Sequence, residues 1–219
     1  MTQATSDPPE GRKSPFVPDC RGTARECLKR ARELRQTGEP NQLFYAALEV
    51  RFGIEARLNE YLTAPGQSIR VPNIPWRLGP LKKSVDGLHG EVLRPIKVTF
   101  FDPTSGSPVI CEYTPVTEKL RKVGERLGHY LHYKPRRESP AVMAANLSAL
   151  VDLGIAELTV ATRGTFLRPP DGRGQPNSIQ LVWERGAMPE FIHTSPSGSL
   201  KLKFQLVSKS GTEAVLGIC

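Results

Sequence analysis

Several common chemistries are missing from this chain. Its four cysteines, Cys20, Cys27, Cys111 and Cys219, form no C-x-x-C pair, which argues against a zinc knuckle or ribbon. Cys20 and Cys27 stand two helical turns apart, too far along one helix for a disulfide, so reduced thiols in a cytoplasmic protein are expected. Aromatic residues make up only 7% and sit mostly in apolar runs, which argues against a stacking platform for single strands. There is no G-x-S-x-G, no phosphate-binding G-K-[ST] loop and no Ser-His-Asp constellation. No stretch of eighteen consecutive apolar residues occurs, so no membrane-spanning helix is expected. The first residues, MTQATSDPPEGRKSPFVPD, lack the apolar core of a signal peptide. No internal repeat is evident.

What is present is positive charge. Thirty Lys and Arg against 22 Asp and Glu give a formal net charge of +8, which makes a polyanion such as nucleic acid the leading partner class. The competing reading is a soluble protein that merely happens to be basic. A chain of 219 residues suffices for one large domain or two small ones, and its 20 prolines and 19 glycines predict long connections.

Residues 1–19 are polar and rich in Pro, Ser and Asp, the composition of a disordered tail. Thr23 and Glu26 have capping-box spacing and open a helix over 23–36, with Cys27, Leu28, Ala31 and Leu34 inward and Arg25, Lys29, Arg30, Arg32 and Arg35 outward. The next segment, NQLFYAALEVRFGIEARLNEYLT (41–63), carries two overlapping apolar stripes at 3–4 spacing and predicts a central, buried helix. Glu49, Arg51, Glu55 and Arg57 fall within it. Arg51 and Glu55 are one turn apart, spaced for a structural ion pair or for a charge held inside for a site. Prolines break the pattern from 64 to 95, leaving a turn or two of helix within Leu81–Leu93. Ile96–Phe101 and Val109–Tyr113, flanking Asp-Pro-Thr-Ser-Gly-Ser, predict a hairpin over 96–114. Thr114-Pro115 and Ser139-Pro140 predict helices over 115–133 and 140–153, the second ending at Gly154. Ile155–Ala161, Ile179–Trp183, Leu200–Val207 and Ala214–Ile218 then read as strands, with turns at Pro169–Gly172 and Ser208–Gly211. The expected fold is α+β: a tail (1–19), an antiparallel helical bundle with an inserted hairpin (20–154) and a small C-terminal antiparallel sheet (155–219).

The helix PVTEKLRKVGERLGHYLHY is the most informative stretch for function. Val116, Leu120, Val123, Leu127 and Leu131 make its core stripe, and Lys119, Lys122, Arg126, His129 and Tyr133 make a second stripe about a quarter-turn away. Arg136 and Arg137 follow. Cations beside an imidazole and a phenol suit a phosphate backbone, because each cation neutralises phosphate and releases counterions; the competing reading is a solvated helix face. Glu125, His129 and His132, at i, i+4 and i+7, are a weaker candidate for a metal site, which would need a further ligand and a tolerant neighbour in place of Arg126. No cofactor is expected. His89 and His193 fall in loop-like surroundings, and Gly172-Arg173-Gly174 is a basic loop that could touch a phosphate backbone.

Arg126 and His132 also form R-x5-H. Together with the long amphipathic segment FYAALEVRFGIEARLNEYL, this resembles the HEPN superfamily of small helical bundles over roughly residues 20–155. The family's R-x(4–6)-H motif marks metal-independent ribonucleases, often in toxin–antitoxin and phage-defence systems. The resemblance implies an RNA endonuclease, or an inactive relative, with Arg126 and His132 (or His129) catalytic and Lys119, Lys122, Tyr133, Arg136 and Arg137 holding RNA. On a straight helix Arg126 and His132 point about 120° apart, so the pair requires the helix to bend or end early, or a second subunit. Two non-catalytic alternatives remain. One is a protein-interaction module, partnered by a second copy or another protein. The other is a winged-helix-like DNA binder built on helix 140–153 and the strands around Arg163-Gly164, although AVMAANLSALVDL offers no Lys or Arg to DNA.

Overall fold

The computed structural model describes residues 22–64, 77–89, 95–101, 105–132, 139–169, 201–206 and 214–218. Five helices, α1 (Ala24–Gln36), α2 (Pro40–Leu62), α3 (Leu78–His89), α4 (Glu118–Leu131) and α5 (Pro140–Ala161), accompany four strands, β1 (Ile96–Phe101), β2 (Pro108–Tyr113), β3 (Lys201–Leu206) and β4 (Ala214–Ile218). The architecture is α+β, as the residue patterns predict. The hairpin and the C-terminal strands, expected as separate features, form one antiparallel sheet in the order β2-β1-β3-β4. β1 is its hinge, with Val98 opposite Cys111 on one side and Phe204 on the other.

Local chemistry explains the first two helices. Thr23 accepts from the Glu26 backbone N–H at 3.3 Å, and Glu26 accepts from the Thr23 N–H at 2.6 Å, completing the capping box. α2 is the axis of the bundle and packs on α1, α3, α4 and α5, so its apolar girdle is buried nearly all round, at Ala46, Ala47, Val50, Ile54, Leu58, Tyr61 and Leu62.

Arg57 lies in that girdle with no exposed surface. Its guanidinium donates to Tyr61 Oη (2.9 Å), Ala161 O (3.0 Å), Gly164 O (2.8 Å) and Glu60 Oε2 (2.9 Å), so this buried charge is both paired and fully directed. Tyr61 passes the chain of bonds on to Thr114 O at the end of β2, and Thr114 Oγ1 donates back to Ala161 O at 2.8 Å. One knot thus ties α2, α5 and the sheet together. Thr165 and Phe166 extend it by donating their N–H groups to Glu112 O at 2.7 and 3.0 Å.

Several sequence expectations are corrected. The largest concerns Gly154, which does not end a helix. α5 runs on through Ile155–Ala161, the segment read as a strand, and the boundary placed at 154/155 falls inside it. The reason is tertiary: a Cβ at Gly154 would lie 2.6 Å from Val50 Cγ1 and 3.2 Å from Val123 Cγ1, so the missing side chain lets α5 press onto α2 and α4. The winged arrangement loses its first strand to this helix. The same helix, Pro140–Ala161, 22 residues with a mean hydropathy of 1.5 over eighteen, is long and apolar enough to cross a membrane by length and composition alone. Only 28% of that window is buried, and the helix also packs on α1, α2 and α4.

Smaller corrections follow the same logic. α3 is a 12-residue helix starting before Pro80, which sits in the first turn where no helical N–H is needed, and His89 closes α3 instead of lying in a loop. α4 is capped by Thr117, whose hydroxyl accepts from the Leu120 N–H at 3.1 Å; Thr114 is occupied in the buried knot. Ile179–Trp183, Gly172–Gly174, Ser208–Gly211, His193, Cys20 and Cys219 lie outside the described residues, as do Tyr133, Arg136 and Arg137.

Candidate nucleic-acid interface

α4 is amphipathic, and two glycines on its inner face determine what lies beneath it. Leu120, Val123 and Leu127 are buried together with Gly124 and Gly128. A Cβ at Gly124 would meet Leu78 Cδ1 at 2.4 Å and Ile54 Cδ1 at 2.9 Å, so this position brings the start of α3 and the middle of α2 against α4. A Cβ at Gly128 would meet the Arg51 guanidinium, with Nη1 at 2.9 Å. The i, i+4 glycines therefore admit one apolar wedge and one cation.

Arg51 occupies the gap. Its Nη1 donates to Gly124 O at 2.7 Å and its Nε lies 3.3 Å from Glu55 Oε1, with 14% of its side chain exposed. The two form an ion pair, as their spacing predicts, at the edge of a groove. That groove, about 500 Å³ between α4 and the start of α3, is lined by Arg51, Arg77, Lys122, Arg126, His129 and His132. Among the described residues Glu125 is the one carboxylate in the lining. It pairs with Arg121, which also holds Glu118, and that contact keeps the Glu118 carboxyl below the usual carboxylate range. Arg121 is raised in turn, mainly by its bond to Glu118. A carboxylate committed to a neighbouring arginine offsets little of the groove's positive charge.

His132 is the C-cap of α4, with φ −88° and ψ 135°, and its N–H still donates to Gly128 O at 3.2 Å. Arg126, His129 and His132, which recur at i, i+3 and i+6, border one groove. All three are exposed. Among the described residues Arg126 has no ion-pair partner, and Lys122 has only Glu118 at 3.8 Å.

Not every candidate gathers there. Lys119 turns the other way and pairs with Glu157 of α5 at 2.6 Å, so it does not line the groove. Glu125, His129 and His132 do line it, but among the described residues no three His, Cys, Asp or Glu side chains are placed to hold a metal ion. Sequence reasoning missed Arg77, which precedes α3 in a proline-rich stretch with no readable period. The G-x-x-x-G spacing at Gly124 and Gly128 is the signal that could have placed Arg51 under α4.

Chemically, the groove offers guanidinium and ammonium donors for phosphate oxygens, with two imidazoles at the same edge for proton transfer. Comparison with protein-family models, curated proteins and solved structures finds no match, so the functional reading rests on this geometry and on the residue pattern.

Proposed function

We propose that this protein binds nucleic acid, RNA in preference to DNA, through the α3–α4 groove, and that the groove cleaves RNA without a metal, in the manner the HEPN resemblance implies. The observation that carries the reading is that Arg126, His129 and His132 line one groove together with Lys122. Lys122, Arg77 and Arg51 attract the backbone. In the proposed step one imidazole takes the proton of a ribose 2′-hydroxyl. O2′ then bonds to the adjacent phosphorus as the P–O5′ bond breaks, and the second imidazole protonates the departing O5′. Arg126 stabilises the charge gathering on the phosphoryl oxygens. The products are a 2′,3′-cyclic phosphate and a 5′-hydroxyl. A cytoplasmic location accords with the reduced, buried thiols of Cys27 and Cys111.

Incubating labelled RNA with the purified chain tests the reading. Cleavage that persists in chelator and is lost in His132→Ala supports it; chelator-sensitive cleavage, or no association with RNA, overturns it. A second reading, a protein-interaction module, draws on the outer face of α5, where Val142 and Val160 are 51% and 43% exposed. Concentration-dependent self-association in sedimentation, abolished by Val142→Glu, would favour that module.

A further inference from the structure

A carboxylate is an odd member of the α3–α4 groove. Among the described residues every other charged side chain in the lining is basic, and a carboxylate facing a phosphate would repel it. Glu125 is nonetheless held firmly in place there. Its Oε1 accepts from Arg121 Nη1, and Arg121 is gripped from its other side by Glu118, through Nε at 2.6 Å and through Nη2. Among the described residues Oε2 has no partner, and 41% of the Glu125 side chain is exposed. One oxygen is thus committed to the fold, while the other stays open to a donor from outside.

The facing wall leaves room for such a donor. Gly79, in the first turn of α3, lies against the carboxylate: a Cβ there would stand 3.6 Å from Oε1, so glycine keeps a side chain out of this space. Leu78 and Pro80, on either side of it, are apolar and bring no side-chain donor of their own. On α4 the same lining takes in Lys122 and Arg126, three residues before Glu125 and one after it, and His129 four residues after it. His129 is therefore one turn, about 6 Å along the axis, from the carboxylate. That spacing is comparable to the span of one nucleoside from its 2′-hydroxyl to the far edge of its base.

We infer that Glu125 selects guanine, so that the groove acts on the 3′ side of guanosine. This rests on the groove being an RNA site and names the base that the site reads. In single-stranded RNA the Watson–Crick edge of a base is open to a protein side chain. Guanine presents two donors side by side there, N1–H and one N2–H, which match the two oxygens of a carboxylate; Oε1 keeps a lone pair beside its bond to Arg121. Adenine and cytosine each set a ring-nitrogen acceptor beside their amino group, and uracil flanks its N3–H with two carbonyl oxygens. Each of those three bases therefore turns lone pairs toward the carboxylate. With guanine held by Glu125, the 2′-hydroxyl of the same nucleotide falls to His129, and His132 is left to protonate the departing O5′.

The test presents the full-length chain with single-stranded oligouridylates that carry one guanosine, inosine, adenosine or cytidine at the same position. Affinity is measured at fixed salt, and cut positions are mapped by sequencing the RNA ends. A preference of about tenfold or more for guanosine over adenosine is expected, the scale on which a well-matched pair of hydrogen bonds discriminates between bases. Inosine, which keeps N1–H and lacks the 2-amino group, should fall between the two. Glu125→Gln should erase the preference and at the same time tighten RNA binding overall, because a negative charge leaves the groove. A carboxylate that only braced Arg121 would behave otherwise, its removal weakening all the oligonucleotides alike. No association with any of them overturns the groove's assignment to RNA and this inference together. Association that treats the bases equally, or a guanosine preference that survives Glu125→Gln, overturns the inference alone. Glu118 still holds Arg121 in the variant, and circular dichroism checks that the fold is retained.

Discussion

Replacing Gly154 with alanine sets two known effects against each other. In an open helix interior the change stabilises by about 1 kcal/mol, because glycine has more backbone freedom to lose. Here the new methyl would sit 2.6 Å from Val50 Cγ1 and 3.2 Å from Val123 Cγ1, against an ordinary carbon contact of about 3.5–4.0 Å. Both valines are buried, at 0% and 3% exposure, and a β-branched residue in a helix has essentially one rotamer, so neither can turn aside. Overpacking of this kind costs about 1–3 kcal/mol, and two stiff neighbours place the site toward the upper end. The expected result for Gly154→Ala is a net loss of about 1 kcal/mol in urea unfolding. Val50→Ala alone should cost about 2 kcal/mol through lost burial and a cavity. In the double variant the alanine methyl occupies the space of the missing Cγ1, so the combined loss should fall about 1–2 kcal/mol short of the sum. Additivity within about 0.5 kcal/mol, or a stabilising Gly154→Ala, would refute the packing argument. A glycine needed only to stop a helix would show no coupling to Val50.

Three further outcomes are expected. Arg57→Met should lower stability by about 2–3 kcal/mol in the same unfolding assay, near the low end for a broken buried pair, because Ala161 O and Gly164 O keep Thr114 and Arg25 as donors. Gly128→Ala should displace the Arg51 guanidinium and weaken RNA binding roughly three- to tenfold, while the gain in helix propensity holds the stability change within about 1 kcal/mol. Burial raises the Cys27 thiol to about 11, and Cys111 is raised for the same reason. Because the folded value lies above the unfolded one, this contribution to stability is intact in neutral solution and is lost as pH rises through the folded value. Alkylation of these two thiols at pH 8, read by peptide mass spectrometry, should be at least about tenfold slower in the native protein than in urea. Equal rates would contradict their burial.

What could be read from the sequence was what is local. The capping box at Thr23, the double stripe of α2, the hairpin strands and Ala214–Ile218 each declare themselves within a dozen residues. Ile155–Ala161 misleads because a glycine followed by Ile, Leu, Thr and Val has strand composition, while its helical state depends on Val50 and Val123, remote in sequence. The union of hairpin and C-terminal strands is likewise a non-local pairing that periodicity does not encode. At the groove, the α4 stripe delivers Lys122, Arg126 and His129 because helical spacing puts them on one side. Lys119 has the right spacing too, yet Glu157 on another helix claims it. Arg77 and Arg51 join through tertiary packing at Gly124 and Gly128, which spacing alone only hints at.

The claim that the end of α4 carries a phosphate-binding groove is tested most directly by the salt dependence of RNA affinity. Each cation that neutralises a single-strand phosphate contributes about 0.7 to the slope of log K against log salt. Lys122→Gln/Arg126→Gln should therefore weaken binding and flatten that slope by about 1.4 relative to the unaltered chain, since both residues line the groove. An unchanged slope and affinity would place the RNA elsewhere on the protein and contradict the account.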